Sequence, residues 1–374
     1  MKQMAATMPF SSLIDDGYTA VLEPMGEVRQ ASDRLRDKFG RAITDLRVSV
    51  TDRCNYKCVY CRTGNEGAQY TELPIDAYLR MARVFVSLGV EKIRLTGGEP
   101  LLRSGLIDMV RELAVMRTAY LPDGTFASET GRGLPLDIAL TTNGHLLEGL
   151  AQPLKDSGLN RVTVSMDAVD AETFAAITRV PRSFDKVLAG IRAAKAAGLG
   201  PVKVNCVLLR GFNDGQIEQF AEFSRCEGVM VRFIEWMPLE EDRSWKRETV
   251  ISMDEIVARL NAYRPLVELA PHAASETAKR FTFDDGVGEI GIIAPVTRPF
   301  CGHCSRVRLT SDGKIRTCLF SQSDHDLYGE MVRGGTDAEL TTYIRTTVMR
   351  KEARHHIGEP GFEKPSRNMV HIGG

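Results

Sequence analysis

Residues 51–61, TDRCNYKCVYC, decide the fold of this chain. Within them Cys54, Cys58 and Cys61 have CxxxCxxC spacing, and the alternating apolar run at 46–50 before them predicts a β-strand. Three thiolates suit an iron–sulfur cluster that keeps one iron open to a small molecule, because a four-iron cluster normally takes four protein thiolates. The spacing favours a cluster, and it leaves open a zinc site or unrelated reduced thiols.

The composition is that of an ordinary globular enzyme. The chain has 374 residues, 26% of them charged and 43% hydrophobic, which is enough for one large α/β domain or two smaller ones. A net charge of −1 argues against a non-specific nucleic-acid binder. No apolar run approaches the roughly 18 residues of a membrane span. The first residues lack an apolar signal segment, so we expect a cytoplasmic protein with no membrane or nucleic-acid partner.

The eight cysteines fall into two compact groups and two single positions. Nothing in the sequence places the chain in an oxidising compartment, so we do not expect disulfides. Cys206 and Cys226 stand singly, and we expect both to be small core residues. The two groups are Cys54/Cys58/Cys61 and Cys301/Cys304/Cys318.

A regular alternation of elements begins near residue 44. Strand-like runs lie at 45–50, 92–96, 136–141, 161–166, 202–209 and 229–235, and helix-like segments lie between most of them at 74–88, 103–117, 146–157, 184–197 and 214–226. Six successive β–α units predict a parallel sheet with right-handed crossovers. The count falls short of eight, so we predict an α/β fold with an open, partial (β/α)6 barrel. Catalytic groups should lie at the carboxyl ends of its strands.

We divide the chain into three regions. Residues 1–30 are a weakly patterned lead-in, residues 31–250 form the partial barrel, and residues 251–374 form a C-terminal region with the second cysteine group. That region should contain a helix at 252–262, short strands ending near 290–293, and a helical tail at 336–352. The segment 120–135 is rich in turn-forming residues and predicts an exposed loop.

Residues 96–100, TGGEP, follow the second predicted strand, where they can face the cysteine loop across the barrel mouth. With the CxxxCxxC motif, they make the chain resemble the radical S-adenosylmethionine (SAM) superfamily. The second cysteine group, Arg306 and Arg308 beside it, and a C-terminal Gly-Gly narrow the resemblance to molybdenum cofactor biosynthesis protein A, the GTP 3′,8-cyclase family. The match runs from about Asp37 to the C-terminus and includes 43–47, 141–144 and 164–167.

The resemblance implies two [4Fe–4S] clusters. Cys54, Cys58 and Cys61 would hold the one that binds SAM. The second, on the C-terminal cysteine group, would meet the guanine base of GTP. From spacing alone, a zinc site completed by His303 or His325 stays open at the second group. The residues matching SAM-binding positions are Tyr60, Gly98, Ser165 and Met237.

The resemblance also implies a set of GTP-binding residues. A triphosphate brings roughly four negative charges, so a site that buries it needs several cations. Arg47, Arg94 and Lys203 lie on predicted strands, where a buried charge is costly without an anionic partner. No P-loop is present, so we do not expect phosphoryl hydrolysis. The full set is Arg47, Arg94, Thr141, Lys203, Arg306 and Arg308, with Arg306, Arg308, Gly373 and Gly374 as the catalytic group.

The implied reaction is the conversion of GTP to (8S)-3′,8-cyclo-7,8-dihydroguanosine 5′-triphosphate, the first step of molybdenum cofactor biosynthesis. Hydrogen abstraction from C3′ of the ribose precedes ring closure onto C8 of guanine. The expected partners are an external electron donor and cyclic pyranopterin monophosphate synthase, which takes the product, and the protein would be a monomer or homodimer. Two alternatives stay open: another radical SAM enzyme with an auxiliary cluster, such as a peptide-modifying one, and a non-catalytic scaffold that carries zinc or a cluster.

Overall fold

The computed structural model describes residues 33–61, 68–121, 124–127, 133–240, 244–367 and 369–373. The lead-in predicted at 1–30, part of the 120–135 loop and Gly374 lie outside the described residues. Within the described part, no helix is both long and apolar enough to cross a membrane.

Six parallel strands form the centre of the molecule in the predicted order. Each pairs in parallel with the next along the chain, so β1 to β6 are consecutive neighbours in the sheet. Apolar side chains of these strands and of the surrounding helices form the main core. The prediction of successive β–α units is confirmed. The strands are β1 (Asp45–Ser49), β2 (Lys92–Thr96), β3 (Asp137–Thr142), β4 (Arg161–Ser165), β5 (Lys203–Leu208) and β6 (Met230–Glu235).

Helices occupy the predicted crossovers, with one addition. The link between β4 and β5 contains two helices rather than one, and the first of them was not predicted. Its N-terminus is capped by Asp170, whose side chain accepts a hydrogen bond from the backbone N–H of Thr173 at 2.8 Å. The helices are α1 (Ile75–Ser87), α2 (Leu106–Ala114), α3 (Leu147–Asp156), α4 (Ala171–Thr178), α5 (Phe184–Ala196) and α6 (Ile217–Glu227).

The C-terminal region extends both edges of the same sheet. Among the described residues the strand order is β12-β11-β10-β1-β2-β3-β4-β5-β6-β9-β8-β7, with β10 parallel to β1 and β9 parallel to β6. The sheet is therefore open, and the domain boundary predicted at residue 250 stays a prediction. The added elements are α7 (Met253–Tyr263), β7 (Leu266–Leu269), β8 (Lys279–Phe283), β9 (Glu289–Ile293), β10 (Arg306–Leu309), β11 (Lys314–Arg316), β12 (His325–Asp326), α8 (Leu327–Val332), α9 (Asp337–Val348) and α10 (Met369–Ile372).

The chain end is docked on the protein. Arg367 forms a two-pronged ion pair with Asp312, with N–O distances of 2.8 and 2.9 Å, and its Nε contacts Asp324 at 2.6 Å. Ile372 is 1% exposed and joins a small apolar cluster apart from the main core. These contacts hold α10 beside the barrel. The other buried members of that cluster are Leu239, Val250, Val296, Phe320 and Ile357.

Two minor predictions require correction. Cys206 is buried as expected, but Cys226 is exposed near the end of α6, where its thiol contacts Glu222 at 3.1 Å. The loop at 120–135 is not wholly exposed, since Tyr120 and Ala127 are buried. Two isolated antiparallel β-bridges, Arg117–Pro135 and Tyr120–Phe126, fold its described part back on itself.

Candidate active site

One cavity is lined by residues of the central strands and by both cysteine groups. It also contains all four residues predicted to bind SAM and most of those predicted to bind GTP. Lys203 and Gly373 are not among its lining residues, and Gly374 lies outside the described residues. The predicted residues that line the cavity are Arg47, Cys54, Cys58, Tyr60, Cys61, Arg94, Gly98, Thr141, Ser165, Met237, Cys301, Cys304, Arg306, Arg308 and Cys318.

The first cysteine loop follows β1 and is held at both ends. Asp52 accepts hydrogen bonds from the backbone N–H groups of Gln69 and Tyr70 at 2.6 and 3.0 Å, which closes the loop where it begins and ends. In its middle, Lys57 and Val59 donate backbone hydrogen bonds to carbonyl groups in the last turn of α4. The helix that the sequence analysis missed therefore positions the cysteines.

The thiols of this loop suit a metal cluster. Burial raises the pKa of Cys58 well above its usual value, and the nearby Asp167, Cys61 and Cys54 raise it further. Metal coordination removes this penalty, because a bound cation deprotonates its thiol ligands. Cys54, Cys58 and Cys61 line the cavity together, which fits an iron–sulfur cluster with one accessible iron.

The TGGEP turn packs against the backbone of the cysteine loop. The N–H groups of Gly98 and Glu99 donate to the carbonyl oxygens of Thr51 and Arg53 at 2.8 and 2.7 Å. A Cβ atom on Gly97 or Gly98 would overlap those same carbonyl oxygens, and Gly97 has a φ of +155°. The absence of side chains at Gly97 and Gly98 therefore lets the backbone of the cysteine loop pack directly against the turn. This contact fixes one wall of the cavity.

Glu99 links the carboxyl ends of β2 and β3. Its carboxylate accepts hydrogen bonds from the backbone N–H groups of Leu101 and Asn143 and from the Thr142 hydroxyl, at 2.7–2.9 Å. Burial raises the pKa of Glu99 to about 7 against the effect of these donors. The Asn143 side chain in turn donates to Asn55 at 2.7 Å. The cysteine loop and both strand ends therefore form one rigid unit.

The predicted SAM-binding side chains surround this unit. The Tyr60 hydroxyl donates to the Asp167 carboxylate at 2.7 Å, and the other oxygen of that carboxylate accepts the backbone N–H of Val207 at 2.8 Å. Burial raises the pKa of Asp167 to about 6. Ser165 ends β4 beside this pair, and Met237 follows β6. All are at or beyond the carboxyl ends of strands, where ligands bind in parallel α/β folds.

The second cysteine group lies at the opposite ends of the strands. Cys301 and Cys304 precede β10, and Cys318 follows β11. The positive charges of Arg306 and Lys351 outweigh the effect of burial and lower the pKa of Cys304 to about 7. The described cavity lining contains all three cysteines and neither His303 nor His325, the imidazoles considered for a zinc site.

Arginines on three neighbouring strands form a row between the two cysteine groups. Arg308 of β10, Arg47 of β1 and Arg94 of β2 are direct partners in the strand register. Neighbouring strands lie about 4.8 Å apart, so like charges there repel. Burial and neighbouring arginines lower the pKa of Arg47 well below its usual value and that of Arg308 to about 10. A buried row of cations requires an anion in the cavity.

Arg232 is a further cavity cation that the sequence analysis missed. It lies on β6, its Nε donates to Asn205 at 2.9 Å, and burial together with Arg94 lowers its pKa to about 9. The signal for it was present, because Arg232 interrupts an apolar strand just as Arg47 and Arg94 do. Lys203, on the adjacent β5, has its pKa lowered to about 8 by burial and by Arg232.

The chain end approaches the arginine row. The carbonyl oxygen of Gly373 accepts a hydrogen bond from the Arg308 guanidinium. Gly373 has a φ of +71°, and a Cβ atom there would lie 2.7 Å from Cγ2 of Thr96 and 3.3 Å from Cβ of Ser49. Only glycine fits this position, at the carboxyl ends of β1 and β2.

Two family models and several curated relatives match this chain. The model of the radical SAM superfamily matches residues 48–224, and the model Molybdenum Cofactor Synthesis C matches residues 229–357. The chain is 44% identical to the GTP 3′,8-cyclase of Acidothermus cellulolyticus, over 81% of each protein. It is 39% identical to the GTP 3′,8-cyclase of Streptomyces coelicolor, over 92% of this chain and 98% of that protein.

Among solved structures, Streptococcus suis SuiB bound to its precursor peptide SuiA is similar in fold. The TM-score is 0.57 with 13% sequence identity, covering 88% of this chain and 77% of SuiB. The same protein bound to S-adenosylmethionine gives a TM-score of 0.55. At this identity the likeness shows the fold alone.

We predict that Gly97→Ala destabilises the protein by about 2–4 kcal/mol, because the new Cβ collides with the Thr51 backbone at a strained φ. Gly149→Ala is the matched control, since it lies in α3 with no atom within 4 Å of the added Cβ, and it should stabilise by about 1 kcal/mol. Denaturant unfolding of the two variants measures both values. Equal stabilities would contradict the described packing of the TGGEP turn.

Proposed function

This chain belongs to the GTP 3′,8-cyclase family of radical SAM enzymes, and we propose that its cavity binds GTP between the two cysteine groups for conversion to (8S)-3′,8-cyclo-7,8-dihydroguanosine 5′-triphosphate. That reaction is the first step of molybdenum cofactor biosynthesis. The observation that carries the proposal is the buried row of Arg308, Arg47 and Arg94. It supplies the charge that a triphosphate needs, in the same cavity as both cysteine groups.

At the first cysteine group, the chain's own residues hold and orient SAM. Cys54, Cys58 and Cys61 fit a [4Fe–4S] cluster, which when bound supplies the electron that cleaves SAM to methionine and a 5′-deoxyadenosyl radical. We assign SAM contacts to Tyr60, whose ring is fixed by Asp167, and to the backbone at Gly98. Ser165 and Met237 complete this wall of the cavity.

The arginine row would position the triphosphate. Arg47 has a buried Nε with no hydrogen-bond partner among the described residues, so it keeps a donor available. Arg94 is oriented by Thr141, with an N–O distance of 3.1 Å, and Arg232 by Asn205. Lys203 adds positive charge from the neighbouring strand. With the phosphates fixed, the ribose would lie on the SAM side and the base on the side of Cys301, Cys304 and Cys318.

The second cysteine group would bind the base. Its three thiols fit a second [4Fe–4S] cluster with one iron open to the guanine. Arg306 lies beside Cys304, and its guanidinium stacks over the Phe300 ring with a distance of 5.2 Å to the centroid. Arg308 carries the contact to Gly373. We therefore assign catalytic roles to Arg306, to Arg308 and to Gly373, whose carbonyl reaches Arg308, and we keep the predicted catalytic role of Gly374.

The reaction also depends on the compartment, on an electron donor and on the enzyme that takes the product. We propose that the enzyme works in the cytoplasm, where thiols stay reduced and the six grouped cysteines can serve as cluster ligands. The reaction needs an external electron donor. Its product would pass to a cyclic pyranopterin monophosphate synthase.

Anaerobic reconstitution with iron and sulfide, followed by SAM, a reductant and GTP, tests the function. We expect about eight iron per chain, 5′-deoxyadenosine, and a cyclised GTP product detected by mass spectrometry. Formation of 5′-deoxyadenosine without a cyclised product would instead favour a peptide-modifying or other radical SAM enzyme. An iron content of about four per chain would show that the second cluster does not form.

We predict that GTP affinity weakens about threefold between pH 7 and pH 8.5, since Lys203 has a pKa of about 8 in the free protein. Below that pH the ammonium is charged and attracts the triphosphate. Above it, binding must first restore the proton. Calorimetric titrations measure the change, and Lys203→Arg should remove it because arginine stays charged. An equal loss of affinity in Lys203→Arg would exclude this assignment.

Deletion of Gly373 and Gly374 should abolish cyclisation while the iron content stays unchanged. The physical reason is that Arg308 loses its contact with the Gly373 carbonyl and is free to turn away from the substrate. Gly373→Ala should have the same effect, since the added Cβ clashes with Thr96. Product formation and iron content are measured on the same samples. Full turnover by either variant would refute a role for the chain end.

A further inference from the structure

Lys351 is a buried cation that joins the two segments carrying the second cysteine group. It is 3% exposed and follows α9. Its Nζ donates hydrogen bonds to the carbonyl oxygens of Arg306, at 2.9 Å, and of Thr317. The first carbonyl lies two residues after Cys304, and the second directly precedes Cys318. One ammonium group thus sets the separation of two predicted cluster ligands.

The charge of Lys351 has no carboxylate partner within the described part of the chain. The carboxylate of the adjacent Glu352 is occupied by the hydroxyl groups of Thr317 and Ser321, at 2.8 and 2.6 Å. A buried ammonium paired only with carbonyl dipoles is costly unless an anion lies nearby. Lys351 also lines the cavity, on the side of the cysteines.

Lys351 lines the cavity together with Cys301, Cys304 and Cys318, whose thiols would become thiolates on binding a cluster. The fixed positive charge of Lys351 would attract the negative charge that these ligands bring to the cluster. Arg306 acts in the same sense on Cys301 and Cys304, but its guanidinium lines the cavity where substrate would bind. Lys351 is held by backbone carbonyls, so its charge is fixed whether or not substrate is present.

We propose that Lys351 is the counter-cation of the second cluster, positioning Cys304 and Cys318 and stabilising the negative charge of the cluster they hold. This rests on the second cluster of the proposed function. Reduction adds negative charge to a cluster, so a fixed cation beside it favours the reduced state. Removing the cation should therefore loosen the cluster and make its reduction potential more negative.

The test isolates the second cluster. In a full-length chain with Cys54→Ser, Cys58→Ser and Cys61→Ser, all iron must bind at the second group. After anaerobic reconstitution we expect about four iron per chain. Lys351→Met, which keeps length but removes charge, should lose more than half of this iron, and the remainder should reduce at a more negative potential in a titration followed by electron paramagnetic resonance.

Two further variants separate charge from packing. Lys351→Arg retains a cation that can donate to the same carbonyls, and it should restore most of the iron and the parent potential. Arg350→Gln removes an exposed charge from the neighbouring residue and should match the parent in both measurements. In the otherwise wild-type chain, Lys351→Met should keep the iron of the first cluster and still cleave SAM, which shows that the protein is folded.

The outcomes distinguish the possible failures. Full iron and an unchanged potential in Lys351→Met would overturn the proposal. Equal losses in Lys351→Met and Lys351→Arg would also overturn it, because charge would then not be the cause. Loss of both clusters in Lys351→Met would show a general structural role instead. If the parent with only the second group binds no iron, the second cluster of the proposed function is what fails.

Discussion

Repulsion between buried arginines is the constraint on which this structure depends. Arg308, Arg47 and Arg94 are partners in register on three neighbouring strands, with Arg232 further along the sheet. A protein that only had to fold would fill these positions with apolar side chains, as it does at the alternate positions Leu46, Val48 and Leu95. The proposed function explains these arginines by a polyanion that binds among them. In that proposal the two cysteine groups lie at the two ends of the anion.

The sheet topology brings the two groups together. The first group follows β1 at its carboxyl end, whereas the second precedes β10, which returns to pair in parallel with β1. The two sets of thiols are therefore separated by the length of a strand, with the arginine row between them. The contact of Gly373 with Arg308 adds the chain end to the same arrangement. In the proposed function, this separation lets radical generation and base binding act on opposite parts of one substrate.

Most of the central barrel was predictable from the sequence because local patterns determine it. The six strands agree with their predicted bounds to within one residue at every end, since buried parallel strands form short apolar runs between helices. The cysteine groups were found from their spacing, and the arginines from the family resemblance, which their places on predicted strands supported. The same reasoning applied to β6 would have found Arg232.

Other features depend on contacts distant in sequence, which no local pattern reports. The helix α4 is only eight residues long, too short to give a clear period. The strands β9 and β10, which flank the six central strands, have the pattern of any short strand, and only tertiary pairing reveals that they extend the barrel sheet. In the sequence Lys351 resembles a surface lysine beside Arg350, yet it is buried and donates hydrogen bonds to the segments of the second cysteine group. The prediction that Cys226 is a core residue was wrong, because it lies near the end of a helix and is exposed to solvent.

The most direct test of the central claim compares the affinities of the reconstituted protein for GTP and for guanosine by calorimetry. If the arginine row binds the triphosphate, GTP should bind at least about a hundredfold more tightly than guanosine, and the advantage should shrink as salt is added. Guanosine binding as tightly as GTP would contradict the claim, since the buried arginines would then have no part in holding the substrate.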